Sequence, residues 1–165
     1  ASLLTCVTPS PKGTGNTGFS NTYAAYDALP EDRKAEIADL RVLHAPWATV
    51  FYHDPEPSLA KFENYLAIGE QELPLVWTHK SGRKSLVIGN TAHSVIGKPA
   101  GESTRILVWL RDWATREDFT YSHEWEPGDM VIWDNTGTMH RAEWYDPASG
   151  RLMVRTKLEG EEPFA

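Results

Sequence analysis

The chain has 165 residues, enough for one domain with a sizeable core. Its 41% hydrophobic and 24% charged residues exclude a disordered tail or a fibre, and a net charge of -7 argues against nucleic acid or an anionic membrane as partner. The single cysteine, Cys6, excludes an internal disulfide and fits a reducing compartment; with no signal-peptide pattern and no apolar run of membrane length, a cytoplasmic protein is expected.

Residues 3–7 (LLTCV) read as a short strand, and residues 8–18, rich in Pro, Gly, Ser and Thr, as a long loop. Asn21 or Thr22 can cap a helix over roughly residues 23–29. Pro30 breaks it and starts a second helix over 31–40, with acidic residues in its first turn. Residues 42–57 are ambiguous, and 58–67 fit either a short helix or a covering loop. LVWTH, the turn at SGRK and SLVIG read as a hairpin over 75–89. Ser103, Ile106, Leu107, Leu110 and Trp113 recur at helical spacing and predict an amphipathic helix over about 102–114. FTYSHEW and MVIWD, joined by EPGD, read as one strand pair; residues around 140–144 and RLMVRTKL, flanking YDPASG, read as another. The expected class is mainly β with helices inserted between strands, because the last third lacks the regular alternation of a doubly wound sheet.

Six histidines and many carboxylates make a metal site conceivable. An oxygen-activating iron takes two imidazoles, a carboxylate and open positions. One local form places His and an acid two residues apart, on one face of an extended segment. No H-x-D or H-x-E occurs; His53-Asp54 and His123-Glu124 are adjacent pairs whose side chains diverge on a strand, and His44, His79 and His93 read as structural. His140 stands out, following the polar stretch DNTGTM after an apolar strand, where it either reaches into a cavity or bonds turn backbone. Arg151, Met153 and Arg155 share one strand face, with the two arginines about 13 Å apart by strand rise, so each can engage a separate anionic group. Pairing with local acids is the plainer reading. No Walker motif, GxGxxG or G-x-S-x-G is present; KGTGNTG supports phosphate binding only weakly, and Cys6 reads as a small buried hydrophobe.

Three segments carry a resemblance over essentially the whole chain: GTGNTGFSNTYAAYDALPEDRK, LPLVWTHKSGRKSLVIGN and, most specifically, HEWEPGDMVIWDNTGTMHRAEWYDPASGRLMVRTKLEGEEPF. They resemble the taurine/2,4-dichlorophenoxyacetate dioxygenase (TauD/TfdA) family of Fe(II)- and 2-oxoglutarate-dependent enzymes. The resemblance implies a double-stranded β-helix (jelly-roll) barrel, with residues 1–165 a single dioxygenase-like domain. It implies O2-dependent hydroxylation of a small anionic organic substrate, such as a sulfonate, sulfate ester or aryloxy or other carboxylic acid, with release of succinate and CO2. On this chain His140 matches the family's distal histidine ligand of Fe(II). Arg151 and Thr17 match the residues that hold the far carboxylate of 2-oxoglutarate. Arg155 matches an arginine that meets the anionic group of the primary substrate. Trp133, Asp134 and Asn135 match the strand end that positions the His140 turn.

The family's H-x-D motif, which supplies the first histidine and the carboxylate, is absent. The expectation is therefore the C-terminal portion of a longer chain, with a barrel incomplete at its N-terminus. Two alternatives stand beside it: a non-catalytic binding or assembly protein that keeps the scaffold, and a cupin-like metal enzyme. Exposed sheet edges make a homo-oligomer conceivable.

Overall fold

The computed structural model describes residues 1–160 and 162. The strands β1 (Ser2–Thr8) and β2 (Thr17–Asn21) lead into the helices α1 (Thr22–Asp27) and α2 (Glu31–Ile37). Next come β3 (Arg41–His44), a 3-10 turn at Pro46–Thr49, α3 (Val50–His53) and α4 (Leu59–Leu66). β4 (Gln71–Pro74), β5 (Val76–Thr78), β6 (Lys84–Leu86) and β7 (Ala92–Val95) precede the long helix α5 (Ala100–Ala114). The last third carries β8 (Thr120–His123), β9 (Met130–Trp133), β10 (Thr138–Ala142) and β11 (Leu152–Lys157).

Local chemistry accounts for the helix ends. Asn21 accepts hydrogen bonds from the Tyr23 and Ala24 amides and so caps α1, and Ser58 caps α4 through the Lys61 amide. In α5 the buried residues are Ser103, Ile106, Leu110 and Ala114, a stripe at helical period. Ser103 can sit there because its hydroxyl accepts from the Val95 amide at 3.1 Å. The core gathers Ala25 and Leu29 below α1, Val42 of β3, Leu75, Val95 of β7 and Leu110, all 3% exposed or less. It holds α1, α5 and the central strands together.

The strands form four separate antiparallel sheets among the described residues, ordered β11-β1-β9, β10-β2-β8, β4-β3-β7 and β5-β6. This corrects the expected jelly-roll barrel: the fold is mixed α/β with several small sheets, and no sheet closes. Closure requires every strand to be paired on both edges. Here β1 and β2 are each paired on both sides, while their neighbours β9, β11, β8 and β10 are edge strands.

Two strand pairs expected from turn chemistry are also redistributed. β8 and β9 are joined by the EPGD turn but pair with β2 and β1, not with each other. β10 and β11 likewise go to β2 and β1. Both connections therefore cross between the same two sheets, and side chains meet in the space between them. Phe19 of β2 lies edge-on to Trp133 of β9, ring centres 5.3 Å apart.

Candidate functional site

Two of the residues singled out in the sequence, His140 and Arg155, flank Trp133 in that inter-sheet space. His140 on β10 pairs across the ladder with Phe19. Its imidazole packs 4.8 Å from the Trp133 ring and 6.5 Å from Phe19, keeping its outer side in solvent. Burial of the ring against these neighbours, and then the charge of Arg155, push its pKa below the ordinary value. Both effects favour the neutral imidazole, the form that can bind a metal.

Arg155 faces the same space from β11. It lies opposite Leu4 on β1, its guanidinium sits 5.9 Å from the Trp133 ring centre, and Nη2 donates to Ser2 Oγ at 3.3 Å. Ser2 in turn donates to Asn135 Oδ1 at 3.1 Å. Trp133 thus has His140 and Arg155 as neighbours, and its own indole nitrogen is buried without a partner among the described residues.

Arg151 meets the segment that leads into Thr17. Arg151 Nη2 donates to the carbonyl of Gly15 at 3.3 Å, two residues before Thr17, and its guanidinium lies 4.7 Å from the Tyr145 ring centre. Arg151 Nε is buried with no hydrogen-bond partner among the described residues. A buried, unpartnered guanidinium N–H is costly unless an acceptor completes it, and a carboxylate does so best. Gly15 is needed at this approach: its φ is +66°, and a β-carbon would collide with Ser10 and crowd Tyr145. Thr17 is 3% exposed and accepts a hydrogen bond from Trp125 Nε1 at 3.0 Å.

The loop before His140 is tied down separately. Asp134 accepts from Tyr23 Oη at 2.7 Å, from the Thr136 amide at 2.8 Å and from Thr136 Oγ1 at 2.7 Å. Burial opposes its charge, yet these bonds outweigh burial and hold the carboxyl below its usual range. Tyr23, Ser2, Trp125 and Tyr145 were not singled out in the sequence. A tyrosine in a helix or a serine at a chain start carries no motif, and only the sheet pairing brings them here.

Of the remaining histidines, His93 lines the cavity that opens beside His140. His44 bonds Thr91, His79 bonds Ser85, and His53 ends α3. His123 meets Asp129 at 3.1 Å, not the adjacent Glu124, which instead accepts from the Gly13 amide. Among the described residues no three His, Cys, Asp or Glu side chains lie close enough to hold a metal ion. These residues offer His140 as one donor and do not by themselves build an iron centre. A cavity of about 790 Å³ opens beside His140, walled by Trp47, Tyr52, His93, Leu107 and Met139.

Comparison with known proteins identifies the family. The chain is 38% identical over 156 residues to the (S)-phenoxypropionate/alpha-ketoglutarate-dioxygenase of Sphingobium herbicidovorans, covering 92% of this chain and 54% of that protein. It is 40% identical over 156 residues to the alpha-ketoglutarate-dependent 2,4-dichlorophenoxyacetate dioxygenase of Cupriavidus pinatubonensis, covering 93% and 53%. The solved structure of AAD-2 in complex with Mn(II) and N-oxalylglycine superposes with a TM-score of 0.88 at 34% identity, covering 99% of this chain and 64% of that one. The chain spans about half the length of the curated relatives it matches. No helix among the described residues is long and apolar enough to cross a membrane. The family model for taurine catabolism dioxygenase TauD, TfdA matches residues 1–157, and the chain belongs to that family.

Proposed function

We propose that these 165 residues are a single-domain, C-terminal portion of a longer Fe(II)- and 2-oxoglutarate-dependent dioxygenase. It hydroxylates a small anionic organic substrate, a sulfonate, sulfate ester or aryloxy or other carboxylic acid, with release of succinate and CO2. Family membership supports the cofactor chemistry in general, and the similarity to dioxygenases named for phenoxypropionate and 2,4-dichlorophenoxyacetate favours the aryloxy acids.

The observation that carries the reading is the buried Arg151 Nε without an acceptor, on a guanidinium bonded two residues from Thr17. A dicarboxylate end completes such a group. In this reading Arg151 and Thr17 hold the far carboxylate of 2-oxoglutarate. His140 offers a neutral imidazole as one metal donor, Arg155 meets the anionic group of the primary substrate, and Trp133 and Phe19 keep water from the space between. Fe(II), 2-oxoglutarate and O2 supply the oxidising power when bound. Among the described residues no group of three His, Cys, Asp or Glu side chains forms around His140.

The net charge of -7 favours small-molecule partners over nucleic acid, and the free Cys6 supports a cytoplasmic setting. The edge strands β9 and β11 leave room for a homo-oligomer. The test is succinate release by a full-length preparation given Fe(II), 2-oxoglutarate and a panel of aryloxyalkanoates, sulfonates and sulfate esters. Succinate should form with at least one substrate and be lost in Arg151→Gln; silence across the panel overturns the reading. A non-catalytic scaffold is the second reading, since among the described residues no three His, Cys, Asp or Glu side chains gather to hold a metal. Oxygen-dependent turnover excludes it.

A further inference from the structure

The donor and acceptor count at Thr17 leads further. Its hydroxyl has one hydrogen to give and lone pairs to receive. An indole nitrogen can only donate, so the 3.0 Å contact with Trp125 Nε1 occupies a lone pair of Thr17 Oγ1 and leaves its O–H to point elsewhere. Among the described residues nothing accepts that O–H, although Thr17 is 3% exposed and Trp125 is 6% exposed. A hydroxyl fixed in this way is a committed donor.

Trp125 is held for this task from both sides. Its ring stands edge-on to His123, at 87° and 4.5 Å between centres. His123 Nε2 lies 3.1 Å from Asp129 Oδ2, and because a carboxylate only accepts, Nε2 carries the proton. Asp129 also accepts from the Glu126 amide at 2.9 Å, closing the turn that follows Trp125. The Asp129 carbonyl receives the Cys6 amide, which anchors that turn to β1. Across the ladder, Thr17 sits directly opposite His123. The series Asp129, His123, Trp125, Thr17 is thus a braced column ending in one free O–H.

We infer that Trp125 is a positioning residue that locks Thr17 as a hydrogen-bond donor toward the far carboxylate of 2-oxoglutarate. The inference rests on Thr17 and Arg151 holding the far carboxylate of 2-oxoglutarate, and it adds what sets the polarity of that grip. Arg151 Nε is a second donor without a hydrogen-bond partner among the described residues. A carboxylate end satisfies both donors.

The test titrates a full-length preparation, supplied with Fe(II) in the absence of O2, with 2-oxoglutarate, following binding by calorimetry; the Trp125 indole N–H signal is followed by NMR in the metal-free protein. Thr17→Val should raise the dissociation constant about tenfold and Trp125→Phe about fivefold, the size expected when a hydrogen bond to a charged group is lost or loosened. Trp125→Phe should add nothing in the Thr17→Val background, because its effect passes through the hydroxyl. A merely structural role would weaken binding in both backgrounds alike. Thr17→Ser should restore the wild-type constant.

In the free protein, the Trp125 indole proton should exchange slowly in wild type and Thr17→Ser and quickly in Thr17→Val. That comparison needs neither bound ligand nor a stable Trp125 variant. Equal exchange in all three chains overturns the inference. So does a Trp125→Phe chain that binds as wild type does, and then the dioxygenase reading stands untouched. A wild-type chain that shows no saturable 2-oxoglutarate binding overturns the grip of Thr17 and Arg151 itself, and the inference with it.

Discussion

The ring of Tyr23 lies over Gly137, on the spot where a β-carbon would stand. The ring has little freedom to retreat. Arg83 stacks on it at 4.1 Å, His79 packs at 4.9 Å, and its hydroxyl is bonded to Asp134. The Thr22 amide donates to the Gly137 carbonyl at 2.9 Å, so the backbones cannot separate either. Gly137→Ala should therefore cost about 1–3 kcal/mol, the range for overpacking a closed site. Urea unfolding midpoints measure it. A Tyr23→Ala partner mutation should recover part of the loss in the double variant. An unchanged midpoint for Gly137→Ala would refute the close contact.

His44 makes the fold sensitive to acid. Its ring is buried, with Nδ1 2.9 Å from Thr91 Oγ1. Burial holds its pKa below the ordinary 6.5; the Val87 backbone opposes this and His93 adds to it. The unfolded chain then binds a proton that the folded chain resists. Stability from the neutral ring is complete above 6.5 and is lost as pH falls toward the depressed folded value. Replacing His44 with Gln should flatten the decline in unfolding free energy between about pH 7 and pH 5. A variant whose stability falls as steeply as the parent's removes His44 as the cause.

Cys6 should be chemically quiet in the folded protein. It is 1% exposed, and burial, with Asp129 adding to it, outweighs Arg151 and raises the thiol pKa above its ordinary value. Thiols react as thiolates, so both access and ionisation are denied. Labelling with a disulfide reagent at neutral pH should proceed at the rate of global opening and become rapid in denaturant. Fast labelling of native protein would contradict the placement.

The outer face of the sheet β11-β1-β9 is apolar and bare. Ile132 and Val154 are 61% and 52% exposed and flank β1 from its two sides, and Met130 and Leu152 continue the patch. Patches of this kind bind apolar dyes and drive association. Ile132→Lys with Val154→Lys should reduce dye fluorescence severalfold, with an unfolding midpoint close to the parent's. Dye binding that survives the double change would place the patch elsewhere.

Much of the local structure could be read from the sequence because its signals are local. Asn21, Ser58 and the Ser103–Ile106–Leu110 stripe mark their helices directly. The strands β2, β4 and β7 escaped notice; TGFSN, QELP and AHSV are short and offer little alternation, and their neighbours stabilise them. The EPGD turn did predict a reversal, with Gly128 at φ +89°, but a turn cannot say which strand each arm will meet. That choice is made by β1 and β2, far away in sequence, and it decides the open sheets. The same holds for the site. His140, Arg151, Arg155 and Thr17 are proposed as site residues from their motifs, whereas Trp125 enters only through its 3.0 Å bond to a residue 108 positions earlier.

The self-contained packing of α4 has a consequence for how the molecule opens. None of its residues is buried, and Phe62 turns to Trp47 and Phe51, while Lys61 pairs with Asp54 in the same stretch. Its attachments are thus made inside residues 46–67, apart from the core around Val42 and Leu110. Such a segment can melt while the sheets stay intact. Its amides should exchange with deuterium well ahead of those in α5, and a protease should nick there first, leaving the two sheet-bearing pieces associated.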